Sequence, residues 1–251
     1  MFGRTLLFMD RPEAWQMADE AQLLRHCAPV FFLPCDGALP ETIDNNGSMA
    51  LIDGGQIRFL VTCCHVWEEF MDYRDRVPTA RLATVFANGF GAPILLPDPI
   101  DHDSDLDLAV FPAGSADWNL GTKQFYRPER WPIPKAKQGS AIAFVGFAGI
   151  GRNMQGTVGD FRYSFFGLSV SSVSDRKMVL GAGHSHRTLM DNNGQRVPPM
   201  RMGGMSGSPA YARAGNGLFS LAGFVQMGAL SNADIFLTHA TYLNPDGTLA
   251  H

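Results

Sequence analysis

A succession of short apolar runs, each closed by glycine, proline or a cluster of polar turn residues, most narrows the folds open to this chain. Residues 48–53 and 56–63 flank Gly54-Gly55, the pattern of a β-hairpin. Further runs of strand length follow at 29–35, 83–86, 93–96 and 103–111, then at 140–147, 156–166, 167–173, 177–180, 218–227 and 234–243. The 27 glycines and 16 prolines are what so many turns require. Helical spacing shows in residues 12–27, where Pro12 suits a first turn and Trp15, Met17, Ala18, Ala21, Leu23 and Leu24 supply an apolar stripe. Residues 66–73 read as a short helical turn. The pattern predicts an all-β chain with an N-terminal helix, long enough at 251 residues for one large β domain or two small ones.

A net charge of −4 leaves no electrostatic footprint for nucleic acid. No apolar stretch reaches the length of a membrane span, and the short N-terminal run ending at Asp10 and Arg11 does not read as a secretory leader. Four cysteines, Cys27, Cys35, Cys63 and Cys64, lie in the first quarter of the chain. They read as reduced, buried and structural, with a Cys27–Cys35 bridge as the alternative, and a cytoplasmic location is expected.

Chemistry concentrates at three places. Residues Arg201-Met202-Gly203-Gly204-Met205-Ser206-Gly207-Ser208-Pro209 set a serine in a glycine-flanked turn, which suits an exposed nucleophile with backbone N–H donors around it. His65 follows the apolar run 56–63. Between them lies Asp103-Ser104-Asp105-Leu106-Asp107-Leu108-Ala109-Val110-Phe111; read as a strand of period two, it puts Asp105 and Asp107 on one face. Either carboxylate could orient the histidine. Asp101, Asp103, Asp105 and Asp107 alternate as in a calcium loop, but that loop's glycine and closing glutamate are missing. His184 and His186 form an H-x-H pair without a third ligand of obvious spacing. No metal or organic cofactor is expected.

Taken together, these stretches closely resemble the trypsin-like (chymotrypsin-fold) serine peptidases. Thr62-Cys63-Cys64-His65-Val66 is similar to the family's T-A-A-H motif, and Asp107-Leu108-Ala109-Val110 to its D-[IL]-A-[LV] motif. Gly204-Met205-Ser206-Gly207-Ser208-Pro209 is similar to G-[DN]-S-G-[GS]-P, and Gly223-Phe224-Val225-Gln226-Met227-Gly228 to the G-[IV]-V-S-x-G strand of the substrate cleft. The resemblance implies two antiparallel six-stranded β-barrels and a serine endopeptidase acting on protein or peptide substrates. Residues 1–28 would be a helical extension, 29–113 the first barrel, 114–138 a linker and 139–251 the second barrel. His65, Asp107 and Ser206 would be the triad, with Asp105 the rival of Asp107, and the N–H groups of Gly204 and Ser206 the oxyanion hole. Met200 would floor the specificity pocket, with Arg201, Gln226 and Met227 on its walls and Gly228 leaving room for the substrate backbone.

The chain departs from the pattern at Met205, where zymogen-activated members carry an aspartate that pairs with a newly cut N-terminus. Met205 implies a peptidase that folds active or is switched by a partner or a loop movement, and an activating or targeting protein partner fits that reading. Two alternatives stand. Ser206, Asp234 and His239 follow the order of the α/β-hydrolases, but without the β-α alternation that fold needs. A trypsin-like fold used as an inactive or partner-gated binding module is the other.

Overall fold

The computed structural model describes residues 5–6, 13–33, 46–86, 93–114, 118, 120–147, 152–155, 158–161, 163–181, 189–191, 196–197, 203–213, 219–229 and 234–250. Two sheets, antiparallel except at one short pairing, make up the body, and the fold is all-β. In the first half β2 (Cys27–Leu33), β3 (Asn46–Asp53), β4 (Arg58–Thr62), β5 (Arg81–Thr84), β6 (Ile94–Leu95), β7 (Asp101–Asp103) and β8 (Leu108–Pro112) pair in the order β6-β5-β2-β3-β4-β8-β7. In the second half β9 (Ala141–Gly146), β12 (Ser164–Val173), β13 (Lys177–Gly181), β16 (Pro209–Arg213), β17 (Phe219–Ala229) and β18 (Asp234–His239) close on themselves, because β12 pairs with both β9 and β13. The short strands β1 (Thr5–Leu6), β14 (Leu189–Asp191) and β15 (Arg196–Val197) extend that sheet, β1 joining β12 in parallel, and β10 (Arg152–Gln155) pairs with β11 (Val158–Phe161) as a separate hairpin.

The second half is therefore a six-stranded barrel, whereas the first is a curled sheet of seven strands that stays open among the described residues. Its edge strands are two and three residues long. Pro97 and Pro99 lie in the connection between them, where a closing ladder would need N–H donors that proline lacks.

Local structure departs from the sequence reading at three points. Helix α1 (Glu13–Leu24) stops short of Cys27, which instead opens the buried strand β2. The end of α1 is met from the connection between the halves: the Lys123 ammonium donates to the Leu24 carbonyl at 2.8 Å. The short turn expected at 66–73 is a full helix, α2 (Cys64–Arg76). Val66, Trp67 and Phe70 bury one face of it, and Arg74 and Arg76 in its last turn suit the negative end of the helix dipole. Finally, the continuous strand expected across 103–111 breaks into β7 and β8 around a turn at residues 104–107.

Each half has its own apolar core, and a third cluster joins them. Ile52, Phe59 and Val110 of the first half meet Val145, Tyr211 and Phe224 of the second there, with Leu23 of α1 among them. Helix α1 also reaches the second half through polar contacts. Asp19 pairs with Arg213 at 2.9 Å, and the Tyr163 hydroxyl donates to the buried Glu20 carboxylate at 2.6 Å.

Candidate active site

Strand register brings the histidine and an aspartate together. Thr62 at the end of β4 lies opposite Ala109 at the start of β8, so the residues just beyond each, His65 and Asp107, emerge side by side. His65 sits in the first turn of α2. Its ring Nδ1 lies 2.9 Å from Asp107 Oδ1 and 3.0 Å from Oδ2, and its backbone N–H donates to Oδ1 at 3.0 Å. One carboxylate thus fixes the imidazole and also caps the start of the helix, where a negative charge is favourable. Burial disfavours a charged imidazole, but the Asp107 hydrogen bond and charge, with Glu69 and Glu68 adding to them, prevail and hold the His65 pKa above its ordinary 6.5.

Asp107 adopts φ 54, a left-handed conformation that aspartate tolerates better than most side chains. The turn before it is an Asp-capped one: Asp103 Oδ1 accepts the Leu106 N–H at 2.8 Å. Asp105, the other carboxylate expected near the histidine, points away, 79% exposed and 3.1 Å from Arg176. The shared strand face expected for the two aspartates does not exist, because the turn rotates them apart.

The serine turn is built from glycines in conformations that other residues avoid, with φ 92 at Gly204 and φ 87 at Gly207. Ser206 is 6% exposed, and its hydroxyl donates to the Gln226 carbonyl of β17 at 3.0 Å. It is not hydrogen-bonded to the His65 ring. Among the described residues neither the Gly204 nor the Ser206 N–H donates to a protein acceptor.

Ser48, which the sequence reading did not single out, clamps this turn from the other half. Its N–H donates to the Ser206 carbonyl at 2.7 Å, its hydroxyl donates to the Gly204 carbonyl at 2.8 Å, and that hydroxyl accepts the Phe147 N–H at 2.8 Å. A Cβ at Gly207 would run into the Ser48 carbonyl and the Thr62 hydroxyl, so the close approach requires glycine there. The only hint in sequence is the small Gly47-Ser48 pair opening an apolar strand.

Met205 is 1% exposed and packs with Phe144, Met178, Leu180, Ala210 and Val225 in the core of the second barrel. Cys63 and Cys64 are buried free thiols, as is Cys27, while Cys35 lies outside the described residues. The Cys63 thiol donates to the Val225 carbonyl at 3.1 Å, across the junction of the halves. Cys63, His65 and Asp107 offer ligand atoms within 4.8 Å of one another. As a metal site the set fits poorly: burial, then the Asp107 charge, push the thiol pKa well up, so it is a neutral donor already spent on a carbonyl. The aspartates expected to alternate as in a calcium loop also diverge. Asp101 accepts the Leu249 N–H, Asp103 caps Leu106, Asp105 pairs with Arg176 and Asp107 holds His65.

Of the residues expected to bind substrate, Met200 and Arg201 lie outside the described residues, as do His184 and His186. Gln226, Met227 and Gly228 lie on β17, beside a register shift between Val225 and Gly228. The Gln226 side chain is buried and turned between the two halves, where its amide donates to the Leu106 carbonyl and the Thr238 hydroxyl. Asp234 and His239 lie at opposite ends of β18, and His239 Nε2 is bonded to the Ser174 carbonyl. They do not form a triad with Ser206.

No protein-family model matches the sequence, and no curated protein matches it. Similarity appears in three dimensions. The crystal structure of Deg5 aligns over 96% of this chain and 100% of its own, with a TM-score of 0.54 and 12% identity. A thermostable serine protease, AL20, from an extremophilic microorganism aligns over 87% of this chain and 92% of its own, with a TM-score of 0.52 and 10% identity. A closed six-stranded barrel facing a curled sheet, over a span matched nearly end to end by these structures, gives this chain the trypsin-like fold.

Proposed function

We propose that this chain is a serine endopeptidase in which Ser206 is the nucleophile, His65 the general base and Asp107 the residue that orients the imidazole. The two-oxygen grip of Asp107 on His65 carries the reading, because it fixes the ring and leaves Nε2 as the nitrogen free to take a proton. In the reaction the Ser206 hydroxyl turns from the Gln226 carbonyl to His65 Nε2. Its oxygen attacks the peptide carbonyl carbon while its proton passes to His65. The oxyanion that forms is held by the N–H groups of Gly204 and Ser206, which have no competing acceptor among the described residues. Collapse expels the amine, protonated by His65, and leaves an acyl-Ser206 ester. Water then attacks the ester carbon as His65 takes its proton; the bond to the Ser206 oxygen breaks, His65 returns the proton to that oxygen, and the acid is released.

The buried, uncharged Met205 supports a site that does not depend on cleavage at the N-terminus. Among the described residues the turn is held by Ser48 and by apolar packing, with no ion pair to it. One observation favours a second reading, a trypsin-fold module gated by substrate or partner: the serine hydroxyl rests on a carbonyl rather than on the histidine.

Intact mass after treatment with a fluorophosphonate separates the two. One adduct on the parent and none on Ser206→Ala, with peptide turnover reduced on the order of 10⁴- to 10⁶-fold in the variant, is the expected result. Parental turnover in Ser206→Ala would refute the assignment, and no adduct on the parent would favour the gated module.

A further inference from the structure

Asp107 holds its left-handed backbone at the boundary between the two halves, and the residue before it is gripped from both sides. The Leu106 N–H is capped by Asp103 within the first half. The Leu106 carbonyl is taken by the second half: the Thr238 hydroxyl donates to it at 2.6 Å and the Gln226 amide at 3.2 Å. The Gln226 amide also donates to the Thr238 oxygen at 2.7 Å, so the three groups form a closed set. All of it is buried, with Thr238 fully inaccessible and Gln226 7% exposed. A hydrogen-bond set with no water to replace a lost partner holds its geometry tightly. The same Gln226 presents its carbonyl to the Ser206 hydroxyl. One residue of β17 therefore touches the nucleophile through its backbone and the aspartate's turn through its side chain.

We propose that Thr238 and the Gln226 amide are positioning residues for Asp107: by fixing the Leu106 carbonyl from the second half, they set the direction of the carboxylate that grips His65. The proposal rests on the peptidase reading for its kinetic consequence, but not for its structural one. Without the Thr238 hydroxyl, the Leu106–Asp107 peptide can rotate toward an ordinary backbone conformation, and the carboxylate loses its two-oxygen contact with the ring. The groups that bear on the His65 titration are Asp107, Glu69 and Glu68; the Cys63 thiol, kept neutral by burial, lies within 4.8 Å of the pair, and the Cys64 thiol lies against Glu68 and His102.

The test uses Thr238→Val, which keeps the shape and removes the hydroxyl, with Thr238→Ser as rescue. In protein labelled with nitrogen-15 histidine, the His65 Nδ1 proton and the His65 pKa are read by NMR, beside thermal unfolding. The expected result for Thr238→Val is a weakened downfield Nδ1 proton and a His65 pKa lower than in the parent, both restored in Thr238→Ser. Fluorophosphonate labelling should slow on the order of 10- to 100-fold, with KM for a peptide substrate little changed. An unchanged proton resonance and pKa in a folded Thr238→Val, with only a lower Tm, would overturn the proposal. Should Thr238→Val fail to fold, Gln226→Met decides on the same readouts, since it leaves the hydroxyl in place and removes the amide. A parent that takes no fluorophosphonate would defeat the peptidase reading while leaving the NMR comparison intact, so the two failures are distinguishable.

Discussion

The two halves of the site are held by opposite means. On the first sheet, His65 and Asp107 are locked by direct contact: two ring-to-carboxylate contacts, a backbone N–H on the same carboxylate, and a helix start that favours the charge. On the second barrel, Ser206 is held through its backbone by Ser48 and by the buried Met205, while its hydroxyl rests on Gln226. Charge organises one side and shape the other. In the proposed mechanism the side that would carry charge is already assembled, and the side that would move is the hydroxyl, which rests on a single carbonyl.

The largest effect should come from attacking the charged side without disturbing its shape. Asn in place of Asp107 tolerates the left-handed backbone and still offers one oxygen to the His65 N–H, but it loses the charge and can favour the wrong tautomer. Asp107→Asn is expected to lower kcat by about 10⁴-fold with a small change in thermal stability, measured by steady-state kinetics and calorimetry. A kcat within tenfold of the parent would mean that the locked pair does not serve the chemistry, and the contrast between the halves would lose its functional meaning.

Attacking the other side through its shape should act on stability instead. Met205→Asp places an unpaired carboxyl in an apolar cluster, which costs about 3–5 kcal/mol in urea unfolding if no partner is within reach. Burial raises the folded pKa of such a group, so the folded state binds more protons than the unfolded one above pH 4, and the loss should deepen as pH rises. Met205→Leu, which nearly conserves volume, should cost less than about 1.5 kcal/mol. Parental stability in Met205→Asp would reveal a cation able to reach the position, and the turn would then have the ion pair that its own residues lack.

What could be read from sequence divides along the same line. The turn signals and short apolar runs give the all-β architecture, because period-two burial and glycine or proline breaks are local properties. The histidine, aspartate and serine stretches are legible for the same reason, each being a short motif at the end of a strand. The turn at Asp107 was hidden because alternating aspartates and leucines imitate a half-buried strand, although Asp103 three residues before Leu106 is itself a turn signal. Ser48 was barely legible, the small Gly47-Ser48 pair being its one trace. Its two partners in the serine turn lie more than 150 residues away, and a serine opening a strand carries no mark of what it will touch. Glu20 is the same case at the surface of the helix pattern, a charge on an amphipathic stretch that the fold buries against Tyr163.

The smallest effect, and the one that tests both halves at once, is a pH window shared by stability and activity. The His65 pKa lies above 6.5 when folded and near 6.5 when unfolded. The folded protein therefore binds more protons than the unfolded one in the interval between the two values. The stability that the His65–Asp107 pair contributes is complete below the unfolded value and is lost as pH rises through the folded one. In the proposed mechanism catalysis runs the other way, because only the neutral ring can accept the Ser206 proton. The fluorophosphonate labelling rate should rise with its midpoint at the folded pKa, above pH 6.5, while the fall in Tm begins near the unfolded value and levels off around that same folded pKa. In Asp107→Asn burial remains and the opposing carboxylate is gone, so the midpoint should move to lower pH and the fall in Tm across the parental window should disappear. A labelling midpoint well away from the pH at which the Tm levels off would mean that the group governing reactivity is not the one gripped by Asp107. The serine side would then have a titrating partner of its own.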